Sequence, residues 1–148
     1  MVKTFNNSPI KEIDRRGLRK LASHVWRAFS TEKCEISLNF VSVSEITDLN
    51  KNYLDKANPT DVIAFNLGNG PETRLIADIY ICPEVARKNA EIYDCDLATE
   101  LARLVIHGIL HVIGHDDTTD KQRNEMHRLE NKFLRKYTTI KYDQERAT

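Results

Sequence analysis

The stretch from Leu97 to Ile113 constrains this chain more than any other, because as a helix it is apolar on almost every side. Leu101, Leu104, Val105, Ile106, Ile109, Leu110, Val112 and Ile113 leave no broad polar face, so such a helix belongs at the centre of a domain. Asp96 stands where a side-chain oxygen can cap the first free amides. Gly114 stands where a left-handed residue ends a helix. One polar stripe crosses the segment: Glu100, Arg103, His107 and His111 fall three or four residues apart and share a face. Buried imidazoles need partners, and imidazoles one turn apart can aim their nitrogens at a single ion about 2 Å away. Glu100 is placed to orient His107 as a hydrogen-bond acceptor, or else to pair with Arg103 as an ordinary helix ion pair.

The break at Gly114 decides where a third ligand comes from. In zinc peptidases of the His-Glu-x-x-His-x-x-Gly-x-x-His type, the third ligand falls three residues after the glycine. Here that position holds Asp117, a legitimate oxygen ligand. His115 is the rival, since a helix continuing past Gly114 would align it with His107 and His111, although a straight stripe converges poorly on one ion. The residue after the first histidine is Gly108, where a zinc peptidase carries its glutamate base, so peptide hydrolysis is disfavoured.

A chain of 148 residues suits one domain that stands without disulfides. Cys34, Cys82 and Cys95 are odd in number and far apart, as expected of small buried hydrophobes in a reducing compartment. No leader-like or membrane-length apolar run is found, so a cytoplasmic protein without a membrane partner is expected. Net charge is zero, from 22 basic and 22 acidic side chains, which by itself argues against a nucleic-acid partner. The distribution says more. Acidic residues gather in the middle of the chain around the histidines. Arg15, Arg16, Arg19, Lys20, Arg128, Lys132, Arg135 and Lys136 lie in flanking segments, able to meet phosphates or simply to form solvated helix faces.

Periodicity supplies the remaining elements. Residues 13–29 form an amphipathic helix and residues 35–43 a half-buried strand. Ser44 caps a short helix through Tyr53, and a loop spans residues 55–60, with Pro59 holding Asn58 extended. Residues 62–67 and 75–82 form a hairpin around Gly68-Asn69-Gly70-Pro71. Pro83 opens a helix to about Tyr93. The last helix runs from about Asp120 to Tyr137 with Met126, Leu129, Phe133 and Leu134 inward, and residues 138–148 are expected to fray. His24 and His127 are expected at the surface, and Asp61 and Asp78 in turn, cap or site roles. The pattern predicts a single α+β domain over residues 1–148, a small mixed sheet covered by helices around a buried metal-binding helix.

The segment from His107 to Asp117 resembles the YbeY family of metal-dependent endoribonucleases, whose hallmark is His-Gly-x-Leu-His-x-x-Gly-x-Asp-His; Asp117 replaces the last histidine. Leu49-Asn50, Pro59-Thr60-Asp61-Val62-Ile63-Ala64-Phe65 and Ala77-Asp78-Ile79 resemble further family elements in the same order. The resemblance implies a zinc-dependent, single-strand-specific endoribonuclease, a phosphodiester hydrolase of ribosomal RNA maturation and ribosome quality control. It also implies ribosomal RNA and the small ribosomal subunit as partners, and an edge strand over Val2 to Phe5. The expected site is one ion per chain, zinc with nickel or manganese as alternatives, on His107, His111 and Asp117, with Asp116 the candidate proton carrier. Two departures matter. The family's arginine after Leu-Asn is Leu54 here, and the serine of its strand motif is Ala64. They keep open an alternative in which the protein is a non-catalytic, metal-holding ribosome-assembly factor.

Overall fold

The computed structural model describes residues 1–54 and 60–146. Among the described residues, four strands and five helices follow in the order β1 (Val2–Asn6), α1 (Arg15–Phe29), β2 (Cys34–Phe40), α2 (Val43–Leu54), β3 (Val62–Asn66), β4 (Leu75–Ile81), α3 (Pro83–Ile92), α4 (Leu97–Ile113) and α5 (Asp120–Arg146). The expected loop with Pro59 and Asn58 lies outside the described residues, apart from Thr60. The sheet order is β1-β2-β4-β3. β1, β2 and β4 run parallel, and β3 pairs antiparallel to β4, so the hairpin and the edge strand both form within one mixed α+β sheet.

Alternation along the strands decides which face is covered. Cys34, Ile36, Leu38 and Phe40 of β2 and Leu75, Ala77, Ile79 and Ile81 of β4 are buried, and they meet α1 and α4 in the main core. The opposite face keeps half-buried polar residues, among them Ser37, whose hydroxyl donates to Asp78 at 2.6 Å across the strands. Asp78 therefore serves the sheet. A smaller core of Val41, Ile46, Ile63 and Cys82 lies under α2. α4 packs against α1, α3, α5, β3 and β4, the central position its composition demands. The Asp96 carboxylate accepts from the Thr99 amide at 2.7 Å and so caps its first turn. Among the described residues, no helix is long and apolar enough to cross a membrane.

Besides shifts of one or two residues, such as the start of α1 at Arg15 rather than residue 13, three boundaries differ from the sequence reading. β2 ends at Phe40, and α2 is capped by Ser42, whose hydroxyl accepts from the Glu45 amide at 3.2 Å, rather than by Ser44. The last helix does not stop at Tyr137 but continues to Arg146. Its far end is tied down by Asp14, which caps α1 by accepting from the Gly17 amide at 3.0 Å. The same carboxylate accepts from the Tyr137 hydroxyl at 3.0 Å and the Gln144 amide at 3.5 Å. Ile140 packs against the main core beyond that point. A contact this distant in sequence leaves no trace in local periodicity.

Candidate metal centre

Gly114 adopts φ 120° and ψ 8°, the left-handed region in which a side chain would be strained. Its amide bonds to the carbonyls of Leu110 and His111, and the His115 amide bonds to Leu110 at 2.9 Å. These bonds close the helix and send the chain back along it. Asp117 consequently arrives beside the two imidazoles. The Nε2 atoms of His107 and His111 lie 2.9 Å apart, and Asp117 Oδ2 is 3.4 Å from the first and 3.5 Å from the second. Ligands at about 2.0 to 2.2 Å from a tetrahedral zinc sit about 3.3 to 3.6 Å from one another. The two edges to Asp117 match that figure, while the shorter edge is a hydrogen-bond distance between rings. The donor atoms of His107, His111 and Asp117 form one group able to hold a metal ion, with both histidines and the aspartate half-buried.

His115 takes no part in that group. Its ring stands edge-on to Phe29 with centroids 5.4 Å apart. Asp116 is exposed and has no hydrogen bond to the cluster among the described residues.

The partner that fixes His107 comes from α5. Glu130 Oε2 lies 2.8 Å from His107 Nδ1, so the ring donates there and turns Nε2 toward the other donors. Glu100, which the sequence offered either as an acceptor for His107 or as the helix partner of Arg103, sits two turns back on the same helix and pairs with Arg103 at 3.5 Å, the second of those readings. Arg103 also reaches Glu130 at 3.7 Å. Both Glu100 and Glu130 are buried, and burial pushes the Glu100 carboxyl above the usual carboxylate range, against the pull of Arg103. For His107, burial works against the charged ring, but the Glu130 hydrogen bond and charge, with Asp117 and Asp61, outweigh it and hold its pKa above the ordinary histidine value.

The loop that carries Asp117 is held through its backbone. Thr119 and Gln122 form a capping box at the start of α5: the Thr119 hydroxyl accepts from the Gln122 amide at 3.1 Å, and Gln122 Oε1 accepts from the Thr119 amide at 3.2 Å. Gln122 Oε1 also accepts from the Thr118 amide, and Arg123 donates to the Thr118 carbonyl at 3.0 Å. Neither the box nor Glu130 was read from the sequence. Both left a signal, as a Thr-x-x-Gln spacing and as a carboxylate inside the stripe of Met126, Leu129 and Phe133.

Gly108 has a steric reason as well as a chemical one. A Cβ there would lie 2.9 Å from Ile79 Cγ2, so the helix packs on β4 too closely for the glutamate of a zinc peptidase. Two cavities flank the cluster. One of about 500 Å³ is lined by residues that include Asp61, Arg103, His107, Asp117, Arg123 and His127. Asp61 accepts there from the Asn89 amide at 3.1 Å, and His127, exposed as expected, stands 3.6 Å from Glu130. The other, about 370 Å³, is lined by residues that include Leu54, Val62, Ala64, His107 and His111, which places both departures from the family motif beside the imidazoles.

The model of the Endoribonuclease YbeY family matches residues 3–138. The chain belongs to the YbeY family. The Endoribonuclease YbeY of Treponema denticola is 34% identical over 93% of this chain and 92% of its own length. The Endoribonuclease YbeY of Parafrankia is 33% identical over 90% of this chain and 92% of its own length. That of Staphylococcus saprophyticus is 36% identical over 72% of this chain and 74% of its own. The fold matches the solution structure of TM1509 from Thermotoga maritima with a TM-score of 0.67 at 24% identity, covering 97% of this chain and 93% of that one.

Proposed function

We propose that the protein is a zinc-dependent endoribonuclease that cuts single-stranded RNA, with ribosomal RNA maturation and ribosome quality control as its setting and the small ribosomal subunit as its partner. The observation that carries the reading is the convergence of His107 Nε2, His111 Nε2 and Asp117 Oδ2, backed by Glu130 on the far nitrogen of His107. Three protein donors leave one position for water or substrate, the arrangement of catalytic rather than structural zinc. When bound, the ion supplies a water of lowered pKa and polarises a phosphoryl oxygen. His107 and His111 offer neutral nitrogens, and Asp117 adds a negative charge where the family motif has a neutral ring. Glu130 keeps the His107 proton on Nδ1 and its lone pair toward the ion. Asp116 is the candidate to carry the proton from solvent. The cytoplasm, where the free thiols of Cys34, Cys82 and Cys95 stay reduced, is the compartment proposed for it.

A second reading, a metal-holding assembly factor without cleavage, is favoured by one feature: Leu54 lines the cavity beside His111 with no guanidinium at that position. Side-by-side assays of the zinc-loaded protein on single-stranded RNA, duplex RNA and casein separate these readings, with His111→Ala as control and elemental analysis of the purified protein. The nuclease reading expects about one zinc per chain and cleavage of single strands that disappears on chelation and in His111→Ala. Metal-replete protein that leaves RNA intact until Leu54→Arg is introduced would establish the second reading. Cleavage that survives both chelation and His111→Ala would contradict the first.

A further inference from the structure

Past the donor cluster, the end of α1 and the middle of α5 present rings and cations that the metal centre does not use. Phe29, the last residue of α1, is 42% exposed. The His115 ring stands edge-on to it, and Phe133 lies 6.0 Å away, centroid to centroid. His24 extends the row, edge-on to Phe133 at 5.9 Å and half-buried rather than on the open face expected from the sequence. Core packing explains Phe133, which is buried, but not a phenylalanine left this open at a helix end.

The charges beside this row are also unspent. Several basic side chains of α1 and α5 are committed: Arg15 donates to Thr4, Arg123 pairs with Asp120, and Arg128 pairs with Glu125. Lys132 and Lys136 have no acidic partner among the described residues. Lys132 Nζ sits 5.5 Å from the centroid of the Phe133 ring. Both ammonium groups stand close enough to His24 to reinforce burial in lowering its pKa.

We infer that Phe29, His115, Lys132 and Lys136 form a track for single-stranded RNA, on which a base stacks against Phe29 while neighbouring phosphates meet the two lysines. The inference rests on the nuclease reading and specifies how the substrate strand continues beyond the site. His115 lies two residues before Asp117 in the same short loop, so the track adjoins the donor cluster along the chain. An exposed ring beside free cations is the chemistry of single-strand binding, in which every base offers a face to stack. A duplex keeps those faces covered. An acidic peptide would use the lysines and leave Phe29 without a role.

The test is the initial fluorescence anisotropy of zinc-loaded full-length protein on labelled oligouridylate of about 20 nucleotides, with inorganic polyphosphate as an anion lacking bases. Phe29→Leu keeps an apolar contact for Phe133 and removes the ring. It should weaken the oligonucleotide by about fivefold or more, from the usual worth of one stacked base, and leave polyphosphate unchanged. Phe29→Trp should restore or exceed the original affinity. Replacing Lys132 and Lys136 together by Ala should weaken both probes and lower the salt slope for RNA by about 1.4, two single-strand phosphate contacts. Wild-type RNA affinity in a folded Phe29→Leu protein, or an unchanged slope in the double lysine variant, overturns the track while leaving the nuclease reading intact. Wild-type protein that binds no RNA overturns both. Should thermal melting find Phe29→Leu unfolded, Phe29→Trp and the double lysine variant decide the question by the same criteria.

Discussion

His107 and Asp117 bring donor atoms within 3.4 Å of each other, yet the molecule holds the two residues in opposite ways. His107 is fixed by the core. It rides on a helix buried among α1, α3, α5 and the sheet, with Gly108 pressed on Ile79 below it and Glu130 bonded to its far nitrogen. Asp117 is fixed by a loop. Its side chain is 39% exposed, and the loop is secured by Gln122 and Arg123 acting on backbone atoms while the carboxylate meets only the two imidazoles among the described residues. One half of the site should thus be tied to folding stability, while the other should change with little cost to the fold. Asp117, where the chain departs from the motif it resembles, lies in the loop half.

If that contrast holds, changes on the helix side should move stability and metal affinity together. Glu130→Gln keeps the shape and removes the charge behind His107. It should lower zinc affinity about tenfold, the modest end of what such supporting hydrogen bonds contribute, and leave Arg103 with one carboxylate fewer in a buried setting. A chelator competition titration and a thermal melt measure both effects. Unaltered zinc affinity would mean that Glu130 is a packing partner of Arg103 and nothing more. Gly108→Ala should cost about 1–3 kcal/mol through forced displacement of Ile79 or the helix, read as a fall of roughly 2–10 °C in melting temperature for a domain of this size. An unchanged melting temperature would show that α4 has slack against β4.

The smallest effect lies at the other end of α4. Asp96→Ala should cost about 1 kcal/mol at neutral pH, the usual worth of such a cap. Hydrogen bonds from the Thr99 hydroxyl and amide hold the Asp96 carboxyl below the usual carboxylate range. A depressed native pKa contributes stability above the unfolded-state value, and that contribution is lost as pH falls through the native value. The difference between wild type and Asp96→Ala should therefore be full at neutral pH and vanish in strong acid. Denaturation curves across that range that stay parallel would remove the cap as its cause.

The same division explains what the sequence could tell. α4 was legible to its end residues because all its signals are local: an acidic cap, continuous apolar surface, and a glycine at the stop. The fold class and the hairpin followed from periodicity in the same way. Asp117 was reachable because it lies a few residues beyond that stop, in a turn whose direction Gly114 sets. Glu130 was not reached, because its role depends on how α5 docks across α4, and the nearer Glu100 offered an acceptor on the same stripe. The long reach of α5 was hidden for a similar reason: Asp14, at the other end of the chain, anchors Tyr137 and Gln144.

The most direct measurement is a zinc titration of wild type, Asp117→Ala and His115→Ala against a competing chelator at fixed pH, since protons compete for the imidazoles. The loop-and-helix account predicts a large loss of affinity for Asp117→Ala with little change in melting temperature of the metal-free protein, and near wild-type affinity for His115→Ala. A large loss for His115→Ala beside normal binding by Asp117→Ala would contradict it, and would make the ring now set against Phe29 the residue that completes the site.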